Sequence, residues 1–257
     1  MMKNANIHIL AVAAALCFGM TAQANLNDAS LSVYYSFDGD GDVITDHSSY
    51  GNHGSIAAGA LTRQDGHVGM ALLFENTRVD LNGPEFQNKP VDGITIAAWI
   101  RHAGSGDPQT LFDAKGTDHG SGLYHAEIRP GGFRWFSRDG SSTTVFNINP
   151  GPVLPADEWV HFVGTYDSES GMARTYVNGE MTHEAQGAGK LSGNWDDTAG
   201  IGDHNGGRWL TGLLDEYFIF SRALSADEIN AVMTGAFTSV DPKGKAAISW
   251  AGVKTGR

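Results

Sequence analysis

Apolar and polar positions alternate with a period of two over Leu31 to Phe37, LSVYYSF. That period predicts a strand with Leu31, Val33, Tyr35 and Phe37 on one side. Short β-prone runs recur at Ala71–Phe74, Arg78–Leu81 and Ile94–Arg101. Gly122–Arg129 and Gly132–Arg138 read as a hairpin around Pro130-Gly131. Trp159–Tyr166 and Met172–Val177 read as another pair, followed by an Asn178-Gly179 tight turn. Gly, Asp, Ser and Asn separate the runs and break regular structure. Strands that recur without intervening helices predict an antiparallel two-sheet sandwich rather than βαβ winding. The single helical signal comes late. Leu214, Tyr217, Phe218, Ile219 and Phe220 form a strand with Asp215 and Glu216 embedded in it. Ser225-Ala226-Asp227-Glu228 then spells a capping box, and Ile229, Val232 and Met233 follow at helical spacing.

Several of these stretches, in order, resemble laminin-G-like domains of the concanavalin type, in the laminin G type 3 or pentraxin-like branch. Phe37-Asp38, the Gly-rich turn and Asp46-His47-Ser48 match the segment after the family's first strand, and Tyr50-Gly51-Asn52-His53-Gly54 matches loosely. ITIAAWIR resembles the family's Trp strand. WVHFVGTYDSESGMARTYVNGE resembles its central hairpin, and the Asp-Glu strand, the Arg222-Ala223-Leu224 turn and the Ser-capped helix resemble its closing segment. The resemblance spans about Leu31 to Met233 and implies an all-β, antiparallel two-sheet jelly-roll sandwich, concanavalin A-like, with a short C-terminal helix.

The ends of the chain read differently. Lys3, the apolar run from Ile9 to Phe18 and Ala22-Gln23-Ala24 predict a secretory leader over residues 1–24, too short in its apolar part to span a membrane. Residues 25–236 form the predicted domain and 237–257 a solvated tail. Cys17, the only cysteine, falls in the leader, so the exported chain has no disulfide. Export to the extracellular space or periplasm and no membrane insertion of the mature chain are the expectations. The formal charge of −12 argues against nucleic acid, whose phosphates need a basic face. It fits cation binding and solubility equally well.

Asp38, Asp40, Asp42 and Asp46 crowd the Gly-rich turn after the first strand. Hard oxygen ligands in such a turn suit Ca²⁺, which takes roughly 6–8 of them. Counted from Asp38, the spacing is not an EF-hand: Val43 falls where Gly is required and Ser49 where Glu is. In the family resembled, the first turn and the Asp of the last strand often share a structural calcium, which adds Asp215. The expected set is Asp38, Asp40, Asp46 and Asp215; the alternative is a solvated acidic turn with Asx caps.

No catalytic motif stands out. The Glu-x-Asp-x-x-Glu strand of sandwich glucanases is missing, and His183-Glu184 is not followed by a second zinc-ligand His. Gly104-Ser105-Gly106 and Gly120-Ser121-Gly122 read as turns. For sugar recognition, aromatic rings beside planar hydrogen-bonding groups are the signal. Two stretches carry it: Asp118-His119 to Tyr124-His125 with Arg134 and Trp135, and Asn194-Trp195-Asp196-Asp197 to Asp203-His204-Asn205 and Arg208-Trp209. The candidate ligand-binding residues are His119, His125, Arg134, Trp195, His204 and Trp209, with Trp195 and Trp209 read as exposed and Trp99 and Trp159 as core. The leading expectation is a secreted, non-catalytic module for a glycan or extracellular matrix component, calcium-stabilised. The alternatives are a polysaccharide lyase or glycosidase on the same fold and an adhesive module that binds protein.

Overall fold

The structure, a computed structural model, describes residues 25–104, 106–116 and 122–238. The expected leader, residues 239–257 of the expected tail and His119 lie outside them. Fifteen strands precede one helix: β1 (Leu31–Tyr35), β2 (Ser55–Ala58), β3 (Arg63–Asp65), β4 (Met70–Glu75), β5 (Arg78–Asp80), β6 (Gly93–His102), β7 (Gln109–Lys115), β8 (Gly122–Ile128), β9 (Arg134–Arg138), β10 (Thr144–Ile148), β11 (Val160–Asp167), β12 (Met172–Val177), β13 (Glu180–Gln186), β14 (Gly200–Ile201), β15 (Thr211–Phe220) and α1 (Ala226–Met233).

Two antiparallel sheets face each other, as the jelly-roll expectation requires. An eight-stranded sheet runs β13-β12-β11-β6-β15-β4-β3, with β1 also paired to β15. A seven-stranded sheet runs β10-β9-β8-β7-β14-β5-β2. Between them lies one core in which Val33, Tyr35, Phe74, Ile96, Phe112, Tyr124, Trp135, Phe162, Tyr166 and Tyr217 are essentially inaccessible. Each such large side chain contributes about 1.5–3 kcal/mol on burial.

The outer face of the eight-stranded sheet carries a second, smaller core. Leu31, Tyr34, Val163, Tyr176, Phe218 and Phe220 are covered there by Leu224, Ile229 and Val232 of the closing segment. α1 begins as the sequence predicts: Ser225 Oγ accepts from the Glu228 amide at 3.4 Å, and Glu228 accepts from the Ser225 amide at 2.9 Å. Arg222 then bonds both Glu228 and Asp28, the latter at 2.6 Å, tying β15, α1 and the segment before β1 together.

The expected placement of two segments is corrected. Leu31 does not share a side with Val33, Tyr35 and Phe37, because a bulge between Leu31 and Val33 turns it toward the helix-side core. Phe237, assigned to the solvated tail, is 1% exposed and packs edge-on against Phe218 and Phe220. It therefore belongs to the domain.

Candidate functional site

Alternation along β7, β8 and β9 fixes which side chains leave the core. Ala114, Tyr124, Ala126 and Trp135 point inward. Asp113 and His125 are register partners, as are His125 and Phe136, and they point outward. Glu127 lies two residues from His125 on the same face, and Arg134 and Arg138 flank Phe136. The ring of Phe136 is covered, with the Arg134 guanidinium 4.3 Å and that of Arg138 5.0 Å from its centroid. The His125 ring lies 5.3 Å from it.

Loops complete this face. His204 sits in a tight turn in which His204 and Gly207 exchange backbone hydrogen bonds and Asp203 accepts from the Gly206 amide at 2.7 Å. The turn sets its Nδ1 2.9 Å from Asp113 Oδ2 and its ring 5.0 Å from that of His125. Glu127, fully buried, accepts from His125 Nδ1 at 3.1 Å and pairs with Arg129 at 2.6 Å and with Arg208. Burial alone would raise its pKa; the hydrogen bonds from His125 and Arg208, with Arg129, reverse that and hold the carboxyl well below its usual range. Two guanidiniums, Arg129 and Arg208, therefore pair with one carboxylate, Glu127, and those of Arg134 and Arg138 lie beside it over Phe136. Burial pulls the Arg134 pKa down, and the Arg129 charge adds to the effect. Its Nε is buried with no hydrogen-bond partner.

A second constellation lies on the outer face of the eight-stranded sheet. A bulge between Asp215 and Phe218 in β15, with Glu216 at φ 48°, inserts one extra residue opposite β6. Both carboxylates thereby leave the core side, and Tyr217 returns to it. Asp215 accepts from the amides of Val68 (2.8 Å) and Glu216 (2.8 Å). Glu216 accepts the Tyr34 hydroxyl at 2.9 Å. Burial pushes Asp215 up to about 6 and Glu216 up to about 7, with the Asp38 charge adding to each. Glu216 borders a cleft of about 830 Å³ that is also lined by Tyr34, Asp38, His67, Trp99 and the end of α1. His161 lies beneath Trp99, 1% exposed, with neither ring nitrogen partnered; burial, and the His67 charge, push it down to about 3.

The structure brings His125, His204 and Arg134 onto one face. It adds Asp113, Glu127, Arg129, Phe136, Arg138 and Arg208. The signal for half of them was the period of two in His125-x-Glu127 and Arg134-x-Phe136-x-Arg138; Asp113 joins only through strand pairing. Trp195 is a correction. It is 1% exposed, its Nε1 donates to Ser192 O at 3.0 Å, and its ring packs on Phe86, Phe112 and Tyr124. The polar neighbours in sequence are loop residues around a core anchor. Tyr124 and Trp135 are core residues too, whereas Trp209 is half-buried. Trp99 and Trp159, expected in the core, are also half-buried, because both lie on the outward side, where His67 stacks on Trp99 at 3.5 Å.

The four expected calcium ligands separate. Asp38 and Asp215 converge on one turn: Asp38 Oδ1 takes the Met70 amide at 2.7 Å, close to the Val68 amide that Asp215 takes. Asp40 is exposed. Asp46 does not fit a cation. Its oxygens accept the amides of Tyr34, Ser48 and Asn52 and the Ser48 hydroxyl, which makes it the Asx-type hub of its loop. Among the described residues, the one group of three whose ligand atoms all lie within 4.8 Å of one another is Asp113, His125 and His204.

Known proteins place this architecture. Over 111 residues the chain is 29% identical to the human Adhesion G-protein coupled receptor D1, covering 41% of this chain and 12% of the receptor. The chain thus spans about an eighth of that relative. Among solved structures, domain 4 of AbnA, an extracellular arabinanase from Geobacillus stearothermophilus solved with arabinotriose, superposes with a TM-score of 0.62 at 17% identity, covering 79% of this chain and 98% of that one. The binding domain of botulinum neurotoxin serotype G gives 0.62 at 17% identity, covering 80% and 51%. The serotype D ligand-binding domain, solved with N-acetylneuraminic acid, gives 0.55 at 16% identity, covering 80% and 51%. These likenesses establish the fold. Residues 75–230 match the laminin G type 3 profile, and the chain belongs to that family of the concanavalin A-like lectin/glucanases superfamily.

Proposed function

We propose that this chain is a secreted, non-catalytic module that binds an acidic glycan on the outer face of its seven-stranded sheet. The observation that carries this is the guanidinium cluster of Arg129, Arg134, Arg138 and Arg208 around Phe136 and Glu127. In a chain of formal charge −12, such a local excess of planar cations is matched to carboxylate- or sulfate-bearing sugars. Glu127 occupies Arg129 and Arg208, which leaves Arg134 and Arg138 to face a ligand. The sugars solved with two of the fold neighbours support a sugar-binding use of this sandwich, and one of those sugars is acidic. Among the described residues no helix is long and apolar enough to cross a membrane.

The calcium proposal narrows to Asp38 and Asp215, with Asp40 at hand, since Asp46 is engaged by backbone amides.

A glycan array spanning neutral, uronic-acid and sulfated sugars tests the reading. Binding to acidic sugars that weakens steeply with salt, and that Arg134→Ala with Arg138→Ala abolishes while the fold persists, is the expected result. Exclusive binding of neutral sugars, or acidic binding unchanged in the double variant, removes it. Release of unsaturated or reducing ends by the wild type would substitute the lyase or glycosidase reading.

A further inference from the structure

We infer that Asp113, His125 and His204 form a binding site for a divalent transition-metal ion of the zinc class, built independently of the glycan reading.

The donor set is one carboxylate and two imidazoles, the N/O mixture that suits zinc and its neighbours rather than calcium. Its three residues come from two adjacent strands and one pinned turn. Asp113 and His125 face each other across β7 and β8. His204 is delivered by a turn held through Asp203, Gly207 and the bond from Lys115 Nζ to Asn205 at 2.6 Å. The ligand atoms of all three lie within 4.8 Å of one another, so a small side-chain adjustment brings them to one ion at about 2.0–2.2 Å each.

Two further features point to an ion. Asp113 is 1% exposed, and its Oδ1 is buried with no hydrogen-bond partner. A hydrogen-bonded Asp113–His204 pair accounts for Oδ2 and leaves Oδ1 unexplained, whereas a cation satisfies it. His125 donates Nδ1–H to Glu127 at 3.1 Å. That arrangement fixes the ring and turns Nε2 outward as a ligand, which is how metal-bound histidines are oriented by a carboxylate behind them. The His204 side chain is 21% exposed, so the ion would have an entry path, and three protein ligands leave a coordination position for water or an incoming oxygen donor.

The full chain, stripped of metal by chelator and dialysed, is titrated with Zn²⁺ and separately with Ca²⁺ by calorimetry. The expected result is a Zn²⁺ isotherm with one site per chain and a Zn²⁺-dependent rise in melting temperature. His204→Ala should weaken that site by more than the roughly 10–100-fold that loss of an orienting partner costs. Co²⁺ should give a visible absorption band that disappears in the same variant. His204 lies in a surface turn, so this variant keeps the fold even if Asp113→Asn does not, and circular dichroism verifies it. A flat Zn²⁺ isotherm, or one unchanged in both His125→Ala and His204→Ala, overturns the inference. Glycan binding is scored in Arg134→Ala, which leaves the three ligands intact, so either idea can fail without the other.

Discussion

The indole of Trp135, on one sheet, lies flat over Gly164, on the other: a Cβ at Gly164 would stand 2.8 Å from Cδ2 and 2.9 Å from Cε2. The same indole donates its N–H to Thr165 O at 2.9 Å, a hydrogen bond that crosses the core. Gly164→Ala should therefore destabilise by about 1–3 kcal/mol, the usual range for overpacking. Urea denaturation should show a lower midpoint with an unchanged slope. An unshifted midpoint would mean that the sheets part easily to admit a methyl group.

Stability should fall as pH rises from 6.5 to 8. Asp215 and Glu216 are raised to about 6 and about 7 in the fold, against about 4 in an unfolded chain. The native state thus holds more protons across this interval, and the benefit is complete below the lower values and lost as pH climbs through the higher ones. His161, pushed down to about 3, acts in the opposite sense around its unfolded value of about 6.5, so it offsets part of the carboxylate loss at the lower end of this interval and little of it near pH 8. The loss should be on the order of 1 kcal/mol. Glu216→Gln should flatten it, and an equally steep decline in that variant would locate the titration elsewhere.

Glu127 should be costly to remove. Glu127→Ala leaves the Arg129 and Arg208 guanidiniums without their partner at a fully buried position. Both arginines keep some exposure and can turn to solvent, which places the loss at the low end of the roughly 3–5 kcal/mol for breaking a buried pair. Arg134→Ala, by contrast, should leave the thermal midpoint close to wild type. Scanning calorimetry on the two variants compares them directly.

Calcium, if held by Asp38 and Asp215, should raise the melting temperature of metal-stripped protein. At a hundredfold excess over Kd the gain is about 2.7 kcal/mol. Asp215→Asn should abolish the calcium response, whereas Asp46→Ala should lower stability equally with and without calcium, since it loses three hydrogen bonds within its own loop and one from the Tyr34 amide of β1. Identical melting in calcium and in chelator would retire this ion.

Strand composition made much of the sandwich legible, because Ile94–Arg101 and Met172–Val177 are rich in β-branched and aromatic residues, even though Ile94–Ala98 is buried on both faces. β13 escaped notice for a physical reason: Glu180–Gln186 is a mostly exposed edge with few apolar positions, where charge discourages pairing with other chains. β14 is two residues long and exists only through its neighbours. The candidate sites were harder to read. His125 and His204 were visible as polar residues near aromatics, but their relation to Asp113 depends on the register of β7 against β8 and on a distant turn. Trp195 misled because loop composition describes the surroundings of a side chain along the chain, and its ring points across it. The Asp215-Glu216 pair was legible as a motif, but only the bulge shows that both carboxylates occupy one face.

Arg222 joins Asp28, before the first strand, to Glu228, in the closing helix, and Leu26 and Phe237 pack on the same small core. Entry and exit of the described chain are thus fastened side by side, behind the eight-stranded sheet. The arginine-rich surface looks the opposite way. A sandwich anchored in this manner can hang from a neighbouring segment at either end, like a tool held by its handle, without shadowing the arginine-rich face.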